Sequence, residues 1–75
     1  MKIQVLGTGC AKCKKLYAEV ERAVVASGLP AELEKVEKID EIMRLGVLIT
    51  PGVIVDGKIV HSGGVPDRNK IESWL

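Results

Sequence analysis

The chain has only two cysteines, Cys10 and Cys13, which form a single C-x-x-C pair. A disulfide between them would close a very short loop, and the chain-entropy relation gives such a loop only about 2 kcal/mol of stabilisation. Secreted disulfide scaffolds carry more cysteines, in pairs that lie far apart in the sequence. We therefore expect an apolar core to hold the fold together and the cysteine pair to be reactive rather than structural.

The amino-acid composition excludes several classes of function. The 75 residues are 47% apolar and 28% charged, which predicts one small globular domain over residues 1–75 and excludes a multi-domain enzyme. A net charge of +1 and 3% aromatic residues provide neither a basic surface nor a stacking platform, so we expect no nucleic-acid or membrane partner. No stretch resembles a signal peptide or a membrane span, and we expect a cytoplasmic protein.

The beginning of the chain predicts a strand, a glycine loop and a helix. Lys2 to Leu6 is rich in strand-forming residues and runs directly into Gly7-Thr8-Gly9, which precedes Cys10. After this loop, apolar residues recur at the spacing of a helix: Leu16, Val20, Ala23 and Val24. The helix is predicted to end at Ser27-Gly28-Leu29-Pro30, because glycine suits a left-handed cap and proline follows it.

Residues 31–45 allow two interpretations. One continuous helix fits the abundance of good helix formers and is slightly favoured by the local pattern. Alternatively, Ala31 to Val36 forms an edge strand, and Ile39 to Leu45 forms a short helix that is ended by Gly46.

The last third of the chain predicts a hairpin and a helix. Asp56-Gly57 lies between two β-rich segments, 53–55 and 58–60, and is the strongest short-range hairpin signal. Thr50-Pro51 directly precedes the hairpin, at a strand start where proline loses no ladder bond. Gly63-Gly64 ends the second strand, and Pro66 suits the first turn of a final helix. Its buried stripe is expected to contain Ile71, Trp74 and Leu75.

The cysteine pair at a helix start suits thiol chemistry. Cys10 is placed where free N–H groups and the positive end of the helix dipole stabilise a thiolate. Cys13 falls on the inward-facing apolar stripe of the helix, so its thiol is shielded, whereas Cys10 is expected to be exposed. This asymmetry suits dithiol exchange, in which an exposed thiolate attacks and a shielded thiol resolves. Lys12 lies between them and favours the anion, so we predict a Cys10 pKa below the value of about 8.5 for free cysteine.

Together, the strand, Gly-Thr-Gly-Cys10-Ala11-Lys12-Cys13, the helix, Thr50-Pro51, the hairpin and the last helix resemble the thioredoxin superfamily. The resemblance is greatest to its very small members, the redox-active disulfide proteins of archaea and anaerobic bacteria, and it covers essentially the whole chain. It implies an α/β thioredoxin-like fold, βαβαββα, with a four-stranded mixed sheet and three flanking helices. A right-handed β-α-β unit needs a second strand after the first helix, so we predict a strand plus a helix for residues 31–45.

The resemblance also implies an activity and its residues. Cys10 is similar to the nucleophile and Cys13 to the resolving cysteine, while Pro51 resembles the cis-proline that faces the disulfide. The Thr50 backbone is similar to the segment that pairs with a substrate's extended chain. The implied enzyme is a thiol–disulfide oxidoreductase that reduces protein disulfides, an electron carrier whose only redox group is the Cys10–Cys13 disulfide.

Its implied partners are a flavin- or ferredoxin-linked dithiol reductase and disulfide-containing client proteins, with the protein itself acting as a monomer. The chain departs from thioredoxins at three places near the cysteines, one of which is Ala11-Lys12, where they carry Gly-Pro between the pair. Gly9 stands where they carry tryptophan. Without bulky aromatic residues around the disulfide, recognition must rest on Gly7, Gly9, the Thr50-Pro51 backbone and the lysines. Gln4 stands six residues before Cys10, where they usually carry a buried acid, so deprotonation of Cys13 needs water or another group.

The main alternative is a soft-metal carrier, because two thiolates of a C-x-x-C pair suit Cu(I). Heavy-metal-associated domains typically have methionine at the position of Thr8, and they end in a strand where residues 66–75 predict a helix. A non-catalytic binding module is a third hypothesis. Structural zinc takes four ligands, which two cysteines and the distant His61 do not supply, and we expect no metal site.

Overall fold

The computed structural model describes residues 1–75 and contains seven regular elements. They are β1 (Lys2–Leu6), α1 (Ala11–Ser27), β2 (Glu32–Val36), α2 (Ile39–Arg44), β3 (Gly52–Val55), β4 (Lys58–Ser62) and α3 (Arg68–Ser73). The strands form one sheet in the order β2-β1-β3-β4, in which β1 is parallel to β2 and antiparallel to β3. The predicted α/β fold, with a mixed four-stranded sheet and three helices, is confirmed.

The segment after α1 shows how pairing overrides local propensity. β2 has only one buried side chain, Val36, so its apolar alternation is too weak to identify a strand. It lies at the edge of the sheet and pairs along its whole length with β1, where Val5 is opposite Lys35. These main-chain hydrogen bonds stabilise a strand in spite of residues that favour helices. Strand plus helix is correct for residues 31–45, and the single continuous helix is wrong.

The sheet has an apolar core on each face, because successive strand residues point to opposite sides. One core joins β1 and β3 to α1 and α3 and consists of Ile3, Val5, Leu16, Val20, Val53 and Ile71. The other core lies beneath α2 and consists of Leu6, Val36, Ile42, Val47 and Ile54. None of the three helices combines the length and the apolar character that crossing a bilayer requires.

The hairpin between β3 and β4 has the turn that its sequence predicts. Asp56 and Gly57 both have positive φ, at 50° and 82°. A type I′ turn requires positive φ at both central residues, and its twist matches that of the flanking strands. Asp56 also accepts a hydrogen bond from the N–H of Lys2 at 2.7 Å, which fastens the turn to the start of β1.

The last helix begins later than predicted. Asp67 caps α3, because its carboxylate accepts a hydrogen bond from the N–H of Lys70 at 2.9 Å. Pro66 therefore lies before the cap and outside the helix, so its placement in the first turn is wrong. Ile71 is buried as expected, but Trp74 follows the last helical residue and is partly buried, with its ring 5.8 Å from that of His61.

Candidate active site

The cysteine pair lies at the start of α1, after the loop that follows β1. The chain leaves the sheet at Leu6, passes through Gly7-Thr8-Gly9 and reaches Cys10, the N-cap of α1. Cys10 and Cys13 are joined by a disulfide, with their Cα atoms 5.0 Å apart across the first helical turn. The spacing of the C-x-x-C pair thus lets both sulfur atoms meet on one side of the helix.

The two cysteines differ in exposure and in hydrogen bonding. Cys10 is exposed, whereas only 5% of Cys13 is accessible. The Sγ of Cys10 accepts a hydrogen bond from the N–H of Cys13 at 3.2 Å. This N–H is one of the groups at a helix start that have no partner within the helix. Together with the positive end of the helix dipole, it favours a thiolate at Cys10 when the pair is reduced.

Gly7 is required by the close approach of Cys13. A Cβ added at Gly7 would overlap the Sγ of Cys13 and lie 2.7 Å from its Cβ. The N–H of Gly7 donates to the carbonyl of Val36 at 2.9 Å, which ties the loop to the end of β2. The loop backbone therefore covers Cys13 directly, and this contact leaves no room for a side chain.

Thr50 and Pro51 lie beside the same loop. Leu6 pairs with Gly52 in the antiparallel ladder, so the residues that precede β3 are next to those that follow β1. The Thr50–Pro51 peptide bond is cis, and Pro51 is buried while Thr50 is half-buried. The carbonyl of Pro51 accepts a hydrogen bond from Gly63, but the N–H and C=O groups of Thr50 have no partner within the protein.

A groove of about 290 Å³ opens on the α2 side of the cysteine loop. Thr8 and Thr50 form its rim, and Leu48 is 84% exposed beside them. We call this surface the apolar groove; its lining residues are Thr8, Ile39, Ile42, Met43, Val47, Leu48 and Thr50.

A smaller cavity of about 30 Å³ lies on the other side of the loop, against Cys13. Its walls carry charged and polar side chains from two elements and from the residue that follows β2. The ammonium group of Lys35 stands 4.5 Å from the centre of the Tyr17 ring. We call this space the charged cavity; its polar side chains are those of Cys13, Lys14, Tyr17, Lys35 and Glu37.

The remaining candidate residues are placed as follows. Gly9 is half-buried and lines the charged cavity, and a Cβ added there would be 3.5 Å from the Oε2 of Glu37. Lys12 is exposed in the first turn of α1, and its side chain makes no hydrogen bond or ion pair. The structure thus brings Gly9 and Cys13 together around one cavity and leaves Lys12 outside it.

Gln4 does not lie beside the disulfide, which corrects the comparison with the buried acid of thioredoxins. Its amide donates a hydrogen bond to the Oε1 of Glu34 at 3.0 Å. The next residue, Val5, lines the charged cavity, and adjacent strand residues face opposite sides of a sheet. The strand position beside Cys13 is therefore that of Val5, an apolar residue.

Sequence reasoning missed Tyr17, Lys35 and Glu37 as neighbours of the disulfide. A usable signal was the predicted parallel pairing of β1 and β2, since parallel strands bring their carboxyl ends to the same edge of a sheet. Lys35 and Glu37 lie at that end of β2, just as the cysteine loop lies at that end of β1. The sequence does not give the register of β2 against β1, so it does not show on which face of the sheet these side chains lie.

Comparison with known proteins agrees with this geometry. A sequence model described as a thioredoxin domain matches residues 1–75. The chain is 40% identical over 75 residues to a thioredoxin of Methanothermobacter thermautotrophicus, which covers 100% of this chain and 97% of that protein. The chain belongs to the thioredoxin family. It is also 41% identical over 73 residues to a thioredoxin of Methanocaldococcus jannaschii, covering 97% of this chain and 84% of that protein.

As a member of the thioredoxin family, the protein is a thiol–disulfide oxidoreductase, and the predicted enzyme class is confirmed. Thioredoxins carry electrons in the disulfide itself and exchange them with a reductase and with disulfide-containing clients. The alternative of a copper carrier is not supported, because the chain matches thioredoxins over residues 1–75. Nowhere do three or more His, Cys, Asp or Glu side chains cluster as metal ligands do.

Proposed function

We propose that the protein reduces the disulfides of client proteins by a two-step exchange in which Cys10 attacks and Cys13 resolves. The observation that carries this assignment is the asymmetry of the pair at the start of α1. Cys10 is exposed and its Sγ already accepts the N–H of Cys13, whereas Cys13 is 5% accessible. A client sulfur therefore reaches Cys10 first, and the attacking atom is the one that the helix start stabilises as a thiolate.

In each step one S–S bond forms while another breaks, so the electrons balance. The Cys10 thiolate attacks one sulfur of the client disulfide, and the other client sulfur leaves as a thiolate that takes a proton from solvent. Cys13 then attacks the Sγ of Cys10, and the bond between Cys10 and the client breaks. The second client sulfur leaves, two electrons have passed to the client, and the Cys10–Cys13 disulfide is formed.

Client binding is proposed to use Thr50, Pro51 and Gly9. The free N–H and C=O groups of Thr50 suit an extended client segment, which pairs by main-chain hydrogen bonds as an added strand does. Buried Pro51 holds this segment in place, and Gly9 lets the client approach Cys10 without a side chain between them. The adjacent apolar groove would receive the side chains that flank the client cysteine.

The electron donor is proposed to be a flavin- or ferredoxin-linked dithiol reductase. Such a donor must reach the same exposed sulfur of Cys10 as the client does, so both partners use one face in turn. We propose that residues 1–75 act as one domain, because a single sheet joins all four strands, and that this domain works as a monomer. Lys12 is proposed to favour the Cys10 thiolate from the first turn of α1, and the cytoplasmic location stays a prediction.

Trapping of mixed disulfides tests the two roles. Cys13→Ser should accumulate a covalent adduct with a disulfide-containing test protein, because the second step is blocked after Cys10 has attacked. Cys10→Ser is the matched control, since it keeps one thiol in the same turn but removes the exposed one, and it should accumulate no adduct. Non-reducing electrophoresis measures the adduct. Equal trapping by the two variants would overturn the assignment.

A further inference from the structure

The second step requires that Cys13 lose its proton, and the protein must provide for this. Cys13 is 5% accessible and covered by the backbone of Gly7, so bulk solvent has poor access to its thiol. Gln4 points to the opposite face of the sheet, where it is bonded to Glu34. We propose that Glu37 accepts the proton of Cys13 through a water in the charged cavity; this inference rests on the proposed resolving role of Cys13.

The cavity connects the two groups. Cys13 and Glu37 both line it, and its volume of about 30 Å³ is enough for one water, which requires roughly 10–15 Å³. Glu37 directly follows Val36, whose carbonyl accepts the N–H of Gly7 at 2.9 Å. The backbone next to Glu37 is thereby tied to the loop that covers Cys13. The Glu37 side chain is exposed and lies beside this loop, since a Cβ added at Gly9 would be 3.5 Å from its Oε2.

The other groups around the cavity do not accept a proton. Lys14 from α1 and Lys35 from β2 carry ammonium groups, which donate hydrogen bonds and have no acceptor site. Tyr17 presents a phenol, and the face of its ring is occupied by the Lys35 ammonium at 4.5 Å. Glu37 is the one carboxylate among the lining residues. The Lys35 cation also stabilises the negative charge that develops on the Cys13 sulfur.

The step is balanced as follows. The S–H proton of Cys13 passes to the water, and a proton of that water passes to the Glu37 carboxylate. The Sγ of Cys13 bonds to the Sγ of Cys10 while the bond between Cys10 and the client sulfur breaks. The client thiolate leaves and takes a proton from solvent. Glu37 then passes this proton to solvent. When a reductase later opens the Cys10–Cys13 disulfide, the Cys13 sulfur leaves as a thiolate and takes a proton from solvent through the same cavity.

A chromogenic aromatic disulfide, 5,5′-dithiobis(2-nitrobenzoate), separates the two steps. Attack by Cys10 releases the first coloured thiolate, and attack by Cys13 on the resulting mixed disulfide releases the second. We compare Glu37→Gln with Glu34→Gln, which removes the same charge on the opposite face of the sheet. Stopped-flow absorbance gives both rates over a range of about pH 6 to pH 9, which spans the titration of ordinary thiols.

Glu37→Gln should slow the second release at neutral pH by about a hundredfold, the lower end of a general base's contribution. The deficit should shrink as pH rises, because hydroxide replaces the lost acceptor. The first release should not be slowed, since removing a negative charge favours the Cys10 thiolate. Glu34→Gln should leave both releases unchanged, and Glu37→Asp should recover part of the second.

Two results would overturn the proposal for Glu37. One is a second release in Glu37→Gln with the same rate and pH dependence as in Glu34→Gln. The other is a slowed second release whose deficit is constant with pH, which a structural displacement of Cys13 produces and the loss of a proton acceptor does not. A second release that persists in Cys13→Ser would instead overturn the resolving role of Cys13, so the two failures are distinguishable.

Discussion

The two sides of the Cys10–Cys13 disulfide differ in shape and in chemistry. On the α2 side, the apolar groove is open, measures about 290 Å³ and presents exposed Leu48 next to Thr50. On the α1 side, the charged cavity measures about 30 Å³ and is lined by side chains such as Lys35. The larger, apolar side suits the docking of a polypeptide segment, and the smaller, charged side suits the handling of a proton.

This division follows from the position of the disulfide at the end of a strand. Neighbouring residues of β1 face opposite sides, with Val5 in the core beneath α1 and Leu6 in the core beneath α2. The loop that follows therefore stands at the edge shared by both faces, and each face contributes its own surroundings. Docking and proton transfer can thus change independently, and substitutions on one side should leave the function of the other intact.

The largest effect is expected from added bulk on the cavity side. Gly7→Ala places a methyl group where Cys13 now lies, and Gly52→Ala places one 2.7 Å from Val47 beneath the groove. Overpacking should cost each variant about 1–3 kcal/mol of unfolding free energy. Only Gly7→Ala displaces a reacting sulfur, and a shift of about 1 Å slows such a step by about a hundredfold.

Thermal unfolding and the two-phase release of a chromogenic disulfide measure these effects in both variants. Gly52→Ala serves as the control for general destabilisation. If it slowed the second release as much as Gly7→Ala does, the two sides of the disulfide would not be independent.

A smaller effect is expected on the groove side. Leu48→Ser removes an exposed apolar side chain that a docked client would partly bury. The loss of about 1 kcal/mol of docking free energy should lower kcat/KM by about fivefold. Val25→Ser is the matched control, because Val25 is 77% exposed on α1 and does not line the groove. The variants are compared in the reduction of a protein disulfide and of a small chromogenic one. The interpretation of the groove fails if Leu48→Ser slows both substrates equally.

The features that local sequence determines were predictable. Asp56-Gly57 and the C-x-x-C pair each act through a few neighbouring residues, so the turn, the exposed Cys10 and the buried Cys13 follow from the sequence. The order of strands and helices also followed, although β2 required the resemblance to a known family. The start of α3 was missed because a capping Asp67 outweighs the preference of Pro66 for a first helical turn.

The surroundings of the disulfide were not predictable, because they depend on strand register. A shift of one residue moves every side chain of a strand to the other face. Gln4 stands six residues before Cys10, but its side chain bonds to Glu34 on the other face of the sheet, and the strand residue beside Cys13 is Val5. Lys35 and Glu37 reach the disulfide only through the pairing of β2 with β1, a contact between segments that are distant in sequence.

The smallest predicted effects on reaction rate are those of substituting Lys12 and Lys35. Lys12 is exposed beside Cys10, whereas Lys35 is held over the ring of Tyr17 beside Cys13. Lys12→Met should slow alkylation of Cys10 by less than about threefold, and salt should remove the difference, because exposed charges are screened over about 10 Å at 0.1 M. Lys35→Met should slow the second release by about threefold, because an interaction between exposed charges is worth about 0.2–1 kcal/mol, and it should leave alkylation of Cys10 unchanged. Alkylation kinetics and stopped-flow release measure the two steps at low and high salt. A larger effect of Lys35→Met on Cys10 than on Cys13 would break the distinction between the two sides, because it would place this cation with the attacking sulfur.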